Sequence, residues 1–231
     1  TAKLLIKDDD QNKSSGMGNS MIQNAANLGF ISNSNGIDNE IEILSAQDLA
    51  TQAVIDMKCY VNYYHKGTFK DQLVYKEQEV NVDLDLAHLK KLNAPIKLKI
   101  EKDGNQYLVT GSYYIPVDAF SSQKEPVKIE KTLASLPASI NTRVGTLHFT
   151  QNGKYALKDG ESLKVIIVSP EMTAKGYTKA LAVSQTSKTT TIAELVLKDE
   201  DPQRSIDYLN TLIKVYNRQA NEDKNEISFR T

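Results

Sequence analysis

The sequence contains no tryptophan, one cysteine and no excess of charge of either sign. A single thiol cannot form an internal disulfide, so Cys59 excludes a disulfide-stapled fold. The 28 basic and 29 acidic residues give a formal net charge of -1, and this balance argues against nucleic acid as a partner. No apolar run reaches the length that crosses a bilayer. A composition of 40% hydrophobic and 25% charged residues is instead typical of a folded globular chain.

The beginning of the chain carries neither a signal sequence nor an initiating methionine, since the first residue is Thr1. We therefore expect the sequence to be a segment of a longer protein. A length of 231 residues is enough to bury one sizeable core or two smaller ones.

Residues 190–231 predict a buried strand, an acidic turn and a long helix. Asp201 is a suitable N-cap and Pro202 suits the first helical position, where no amide donor is needed. The apolar residues that follow form one narrow stripe: Ile206, Leu209, Ile213, Tyr216, Ala220 and Ile227. We expect the first three of them to join the local core. The last three, Tyr216, Ala220 and Ile227, are the candidate contacts with a neighbouring subunit or with the continuation of the helical arm.

The N-terminal part predicts a short strand at Ala2–Lys7 and a polar loop at Asp8–Asn35. Asp8, Asp10 and Asn12 alternate as in a calcium-binding loop, in which hard oxygen ligands cluster. The glycine at the sixth position and the closing glutamate of such a loop are both missing, so a solvated loop is the favoured interpretation.

Helical periodicity then covers Asp38–Met57, where Ser45 followed by Asp48 predicts a second cap and a bend between two helices. From Lys58 to Pro170 the pattern becomes alternating, which is typical of half-buried strands. Hairpin signals stand at three Asx-Gly pairs: Asp103-Gly104, Asn152-Gly153 and Asp159-Gly160.

After this block, Leu163–Val168 predicts a continuous apolar strand, and Ser169 with Pro170 predicts the start of a helix over Glu171–Leu181. The segment order indicates an α+β fold. Residues 1–65 and 161–231 are expected to form a mixed α/β sheet domain with covering helices and the long C-terminal helix. Residues 66–160 are expected to be an inserted antiparallel β-sandwich. One sheet is expected to combine the N-terminal strand with three others: Val61–Tyr64, Leu163–Val168 and Thr191–Leu197.

Residues suited to catalysis or metal binding are isolated from one another. The three histidines lie far apart and lack a second ligand at metal spacing: His65, His88 and His148. Cys59 ends an apolar helix face and is expected to be a small buried hydrophobe. We predict no catalytic, cofactor-binding or metal-binding residue and no enzymatic activity in this segment.

Tyr60, Tyr63 and Tyr64 have rings that can stack on sugars, but tyrosines in a strand more often pack a sheet. A carbohydrate-binding β-sandwich module is therefore the second hypothesis, and exposed aromatics on one face of the insert would favour it. A secreted hydrolase is the third, and it requires two carboxylates converging in a cleft.

Two stretches carry a family resemblance most closely: Ile37–Val54, within the segment GIDNEIEILSAQDLATQAVIDM, and the strand, Asp-Glu-Asp-Pro junction and long helix of Thr190–Lys224. Together with the strand and helix start LKVIIVSP, the chain resembles the chain-length determinant (Wzz-like) family. Within it, the chain is similar to the periplasmic region of Bacteroidetes-type polysaccharide biosynthesis tyrosine autokinases (Wzc-like). The agreement covers about a third of the sequence, and the β-rich stretch Lys66–Gly160 departs from the smaller family members.

This resemblance implies a periplasmic domain of an inner-membrane polysaccharide co-polymerase, with a membrane helix on each side of it. Such proteins form homo-oligomers and set the chain length of capsular polysaccharide, exopolysaccharide or lipopolysaccharide O-antigen. The implied partners are a polysaccharide polymerase, the export machinery, the growing glycan and the membrane. The nucleotide-binding motifs and tyrosine-rich tail of the family's kinase have no match here, so no cofactor is implied for this segment.

Overall fold

The computed structural model describes residues 1–5, 34–118, 120–187 and 191–229, with backbone alone at residues 34–36 and 223–229. The described residues form five helices: α1 (Ser34–Leu44), α2 (Gln47–Met57), α3 (Leu86–Leu89), α4 (Pro170–Ala180) and α5 (Pro202–Phe229). They also form twelve strands: β1 (Ala2–Leu5), β2 (Val61–His65), β3 (Gln72–Val74), β4 (Val80–Asp83), β5 (Ile96–Asp103), β6 (Gln106–Tyr113), β7 (Val127–Leu133), β8 (Ala138–Thr142), β9 (Gly145–Gln151), β10 (Ser162–Ile167), β11 (Leu181–Gln185) and β12 (Ile192–Leu197). The α+β class and the long C-terminal helix are confirmed.

The chain divides into two compact units. The terminal unit comprises residues 1–53, 177–199 and 205–231, and the central unit comprises residues 54–176 and 200–204. Among the described residues, no helix combines the length and the apolar content that a membrane crossing requires. The polar loop predicted at Asp8–Asn35, with its calcium-like start, lies outside the described residues as far as residue 33, and its last two residues belong to α1.

The terminal unit is built on a three-stranded antiparallel sheet in the order β1-β12-β11, and α1 packs against β11 and β12. The central strand β12 alternates, burying Ala193, Leu195 and Leu197 on one face. This alternation is what the sequence predicts for a strand with one face on a core. The helices complete the apolar interior with Ile37, Leu44, Leu49, Ala50, Ala53, Tyr208, Leu209, Leu212 and Val215.

Two of the predicted helix starts follow from their caps. The Asp201 Oδ1 accepts a hydrogen bond from the Arg204 amide at 2.8 Å, and α5 begins at Pro202. In α4, the Ser169 Oγ accepts from the Met172 amide at 3.3 Å. The bend at Ser45 is also confirmed, because α1 ends at Leu44 and α2 begins at Gln47.

The central unit contains a six-stranded sheet in the order β3-β2-β10-β5-β6-β7 and a three-stranded sheet in the order β4-β9-β8. Every named strand pair is antiparallel. Hydrogen bonds between the sheets include the Val82 amide donating to Tyr63 Oη at 2.9 Å and the Arg143 amide donating to Tyr113 Oη at 3.2 Å. The antiparallel, β-rich character predicted for this block is therefore observed.

The predicted single sheet of mixed direction is wrong. Strand β2 pairs with β3 and β10, and β10 pairs with β5, so both belong to the six-stranded sheet of the central unit. The unit boundaries consequently fall after Ala53 and after Gly176, rather than after residues 65 and 160. The reason is physical: an apolar strand satisfies its hydrogen bonds with whichever neighbour the fold supplies, and its own composition does not select that neighbour.

Only one of the three predicted hairpins forms. Strands β5 and β6 pair directly around Asp103-Gly104, where Gly104 has a φ of 56°, in the left-handed region that glycine tolerates. Asn152-Gly153 and Asp159-Gly160 both lie between β9 and β10, which belong to different sheets, so those two hairpin predictions are wrong. These pairs instead turn a connecting loop, in which Asp159 Oδ1 accepts from the Gly104 amide at 2.6 Å.

The buried face of α5 is rotated from the predicted stripe. Tyr208, Leu212 and Val215 are fully buried and Leu209 is nearly so, whereas Ile206 is 50% exposed. Ile213 is half-buried. The prediction that Ile206 joins the local core is therefore wrong. Residues at steps of four and three from Tyr208 share the covered face, and packing against other segments rather than the apolar pattern alone selects that face.

Candidate functional site

The central unit contains a cleft of about 920 Å³. This volume lies within the range of about 300–1,000 Å³ that is usual for ligand sites. The loop after α2, strands β2 and β3, and the paired strands β4 and β9 all contribute to its lining. We treat this cleft as the candidate functional site.

Tyrosines form one wall of the cleft. Tyr60 and Tyr63 line it with most of their surface buried, at 4% and 8% exposure, and Tyr75 is half-buried. The Lys76 Nζ lies 5.2 Å from the centroid of the Tyr75 ring, a cation–π distance. The prediction that the β2 tyrosines pack the sheet describes Tyr63, whose hydroxyl contacts the Val82 backbone, yet both Tyr60 and Tyr63 also border the cavity.

Polar side chains line the cleft from two neighbouring strands. Asn81 and Asp83 alternate on β4, and Thr150 and His148 stand opposite them on β9 in the antiparallel register. Because alternate residues of a strand project to the same side, these four side chains share one face of the sheet. The opposite face carries buried Val80, Val82, Leu147 and Phe149.

Amide groups extend this polar surface. Gln78 Nε2 donates to Asn81 Oδ1 at 2.8 Å, and Asn62 Oδ1 accepts from Arg204 Nη1 at 2.9 Å. The Gln78 Oε1 is buried without a hydrogen-bond partner among the described residues. An unsatisfied buried acceptor costs about 1–3 kcal/mol, so a donor that reached this oxygen would relieve that cost.

The charges at the cleft are largely compensated. Lys58 Nζ lies 2.6 Å from Asp83 Oδ2, and the Arg204 guanidinium is already bound to Asn62. Asp85 pairs with His88 at 2.5 Å, and its pKa is lowered by this side-chain hydrogen bond. The cleft therefore offers many hydrogen-bonding groups without a strong field of one sign.

Two lysines of the cleft have strained backbone. Lys58 has a φ of 54° and Lys76 a φ of 62°, and these are the residues other than glycine with positive φ in the described chain. Such conformations cost about 1–3 kcal/mol each and occur preferentially at functional sites. Both lysines line the cleft and are close in sequence to tyrosines that line it, Tyr60 and Tyr75. The strained backbone therefore lies in the segments that form the tyrosine side of the cleft.

Burial is the main cause, and the nearby Asp83 carboxylate a smaller one, that together raise the pKa of Tyr60 and of Tyr63 to about 12 each. Their hydroxyls therefore stay protonated at any physiological pH. Because both values exceed the ordinary 10.0, the stabilisation is complete below pH 10.0 and is lost as pH rises towards about 12. We expect the free energy of unfolding of the central unit to fall over this interval.

Urea unfolding at stepped alkaline pH measures this decline, and the Tyr60→Phe/Tyr63→Phe double variant is its control. The double variant should show a shallower loss of stability above pH 10.0, since phenylalanine releases no proton on unfolding. A decline of the same slope in both proteins would contradict the assignment.

The predicted assembly residues of α5 are placed differently from one another. Tyr216 is half-buried, and its Oη donates to Glu40 Oε2 of α1 at 2.5 Å. Burial and this hydrogen bond raise the Tyr216 pKa. Tyr216 thus has a partner inside the terminal unit, and Ala220 is half-buried. Ile227 belongs to α5, but its side chain lies outside the described part.

The cysteine and two of the histidines have different surroundings in the fold. Cys59 is buried, His65 pairs with Glu79 at 2.9 Å, and His148 Nδ1 lies 2.9 Å from Ser139 Oγ. Within the described ranges no group of three His, Cys, Asp or Glu side chains has a geometry for binding a metal ion.

Sequence reasoning missed most of the cleft. The alternation of β4 and of β9 marked which residues face away from the core, and this signal was present for Asn81, Asp83 and Thr150. The pairing of β4 with β9, far apart in sequence, was needed to place those residues side by side.

A scan against models of known protein families finds no match for this chain, and a search of curated proteins finds none either.

Proposed function

We propose that this chain is the periplasmic domain of an inner-membrane polysaccharide co-polymerase, which helps to set polysaccharide chain length by oligomeric assembly. One observation supports the proposal above the others. The two stretches that most closely resemble the chain-length determinant family, Ile37–Val54 and Thr190–Lys224, are far apart in sequence. Nearly all of their described residues belong to the terminal unit. The exceptions are Val54 and residues 200–204, which belong to the central unit.

The contact between Tyr216 and Glu40 lies within these two stretches. It joins α5 to α1 through a hydrogen bond to a carboxylate, a kind of bond that contributes about 1.5–3 kcal/mol. The β-rich residues that depart from the resemblance belong to the central unit instead. Most of the resembling residues thus lie in the terminal unit, which supports a common terminal architecture, although the resembling segment LKVIIVSP at Leu163–Pro170 belongs to the central unit.

The exposed side of α5 supplies a surface for assembly. Its 28 residues span about 42 Å at the usual helical rise, and Gln203, Ile206, Asn210, Lys214 and Asn217 are exposed along it. Ile206 is the large hydrophobic side chain that this surface presents. A neighbouring copy that covered Ile206 would remove an apolar group from water, which favours association.

The test compares the full-length protein in detergent with this chain by light scattering or native mass spectrometry. We expect a large closed oligomer for the full-length protein and a monomeric or weakly associated state for the isolated chain. Monomers in both cases would contradict the scaffold role. The function itself is measured as the length distribution of surface polysaccharide in cells that carry variants of the protein.

Ile206→Lys is the informative variant, because a charge on the exposed side of α5 should weaken assembly without unfolding the terminal unit. We expect a smaller oligomer, a shifted polysaccharide length distribution and an unchanged midpoint of thermal unfolding for the isolated chain. Val117→Lys, which places the same charge at a 66% exposed position of the central unit, is the matched control. Equal effects of the two variants would contradict an assembly surface on α5.

A further inference from the structure

We infer that the 920 Å³ cleft of the central unit binds a short segment of an uncharged glycan. This inference goes beyond the proposed scaffold function and does not depend on it. The observation that carries it is the combination of a tyrosine wall with a row of hydrogen-bonding side chains in one cavity.

The wall suits the apolar faces of sugar rings. A pyranose presents C–H groups on its faces and hydroxyls around its edge, and an aromatic ring packs against those C–H groups. Half-buried Tyr75 supplies accessible aromatic surface at the cleft, and Tyr60 and Tyr63 border it with 4% and 8% of their surface exposed. Tyr60 and Tyr63 are also neutral at physiological pH, so they offer a polar tip that is not charged.

The polar row suits the edges of the same rings. Asn81 and Thr150 stand opposite each other in the register, and each side chain has groups that donate and accept. Gln78 adds a carbonyl oxygen that has no partner among the described residues, and a hydroxyl can donate to it after rotation of the amide. A polyhydroxylated ligand satisfies such a mixture better than a ligand with acceptors alone.

The paired charges of the cleft favour a neutral glycan over an acidic one. Lys58 is paired with Asp83, Lys76 lies over the Tyr75 ring, and Arg204 donates to Asn62. The cleft therefore holds no concentrated positive field that would select phosphate or uronate groups. Lysines of the outer sheet face, Lys97 and Lys164, line a different and smaller cavity of about 370 Å³.

The experiment titrates the isotopically labelled chain with a panel of neutral and uronate-containing oligosaccharides and follows backbone and side-chain amide resonances by NMR. We expect saturable shifts with neutral oligosaccharides at Gln78, Asn81 and Thr150. Shifts at Lys97 and Lys164 with uronate-containing probes alone would overturn the proposal, as would the absence of saturable binding across the panel.

Two tyrosines provide a matched pair of variants. Tyr75 lines the cleft and Tyr155 lies outside its lining, yet both are half-buried and both carry a lysine over the ring, at 5.2 and 5.1 Å. We expect Tyr75→Ala to weaken binding about tenfold and Tyr155→Ala to leave the Kd unchanged. Equal weakening by both would overturn the assignment of the cleft.

A second variant keeps the test decisive if Tyr75→Ala does not fold. Thr150 is exposed on β9, so Thr150→Arg adds bulk to the cleft without disturbing the buried face of the strand. We expect it to abolish binding while thermal unfolding stays unchanged. Retained binding would contradict the proposal. Because binding is measured on this chain alone, its failure is distinguishable from a failure of the co-polymerase assays.

Discussion

Replacing Tyr208 by alanine is expected to lower the free energy of unfolding of the terminal unit by about 3–5 kcal/mol. Tyr208 is fully buried, and its ring stacks on Tyr177 with the centroids 4.0 Å apart and the planes 7° from parallel. Truncation removes both the buried ring and this stacking contact, and it leaves a cavity that α5 cannot refill from its polar side. A loss of that size is a large part of the 5–15 kcal/mol that is usual for a domain.

Ile206→Ala is the matched control on the same helix. Ile206 is apolar and lies only two positions away from Tyr208, but it is 50% exposed, so its truncation is expected to cost about 0.5 kcal/mol or less. Urea unfolding followed by circular dichroism measures both variants. If Ile206→Ala lost more unfolding free energy than Tyr208→Ala, the buried face of α5 would include Ile206, as the apolar stripe of the sequence predicts, and the observed face would be contradicted.

Replacing Gly111 by alanine is expected to destabilise the central unit by about 3 kcal/mol. Gly111 lies in β6, and a methyl group there would overlap the Lys97 carbonyl oxygen and approach the Leu98 Cα to 2.9 Å. Both atoms belong to the backbone of the paired strand β5, so they cannot move away without breaking the ladder. The strain therefore falls on the centre of the six-stranded sheet.

Gly176→Ala supplies the opposite expectation in the same unit. Gly176 lies in α4, and apart from its chain neighbours and the backbone of its own helix no described atom lies within 4 Å of a methyl group placed on it. Alanine is favoured over glycine in a helix, so this variant should raise stability by about 0.5–1 kcal/mol. Thermal and urea unfolding of both variants test the pair, and destabilisation of equal size in both would refute the steric explanation.

The apolar stripe did not identify the buried face of α5. Ile206 was expected in the core and is exposed. A rotation of about one residue along the helix turns a different set of side chains towards the core, and packing against distant segments selects that set. The Tyr216 hydroxyl binds Glu40 within the terminal unit, and a contact of Tyr216 with another subunit stays a prediction.

The sequence by itself determined the features that depend on neighbouring residues. Asp201 with Pro202 starts α5, Ser169 with Pro170 starts α4, and Asp103-Gly104 turns a hairpin, because caps and tight turns are satisfied within a few positions. Alternation likewise identified the β-rich block and its antiparallel character.

Only the tertiary structure decided the sheet in which each strand lies and where a binding cleft forms. The pairing of β2 with β10 places two apolar strands in the central unit, and the pairing of β4 with β9 places Asn81 beside Thr150. A strand carries donors and acceptors along both edges and many partners can satisfy them. The choice depends on the free energy of the whole packed unit, which the local pattern does not contain.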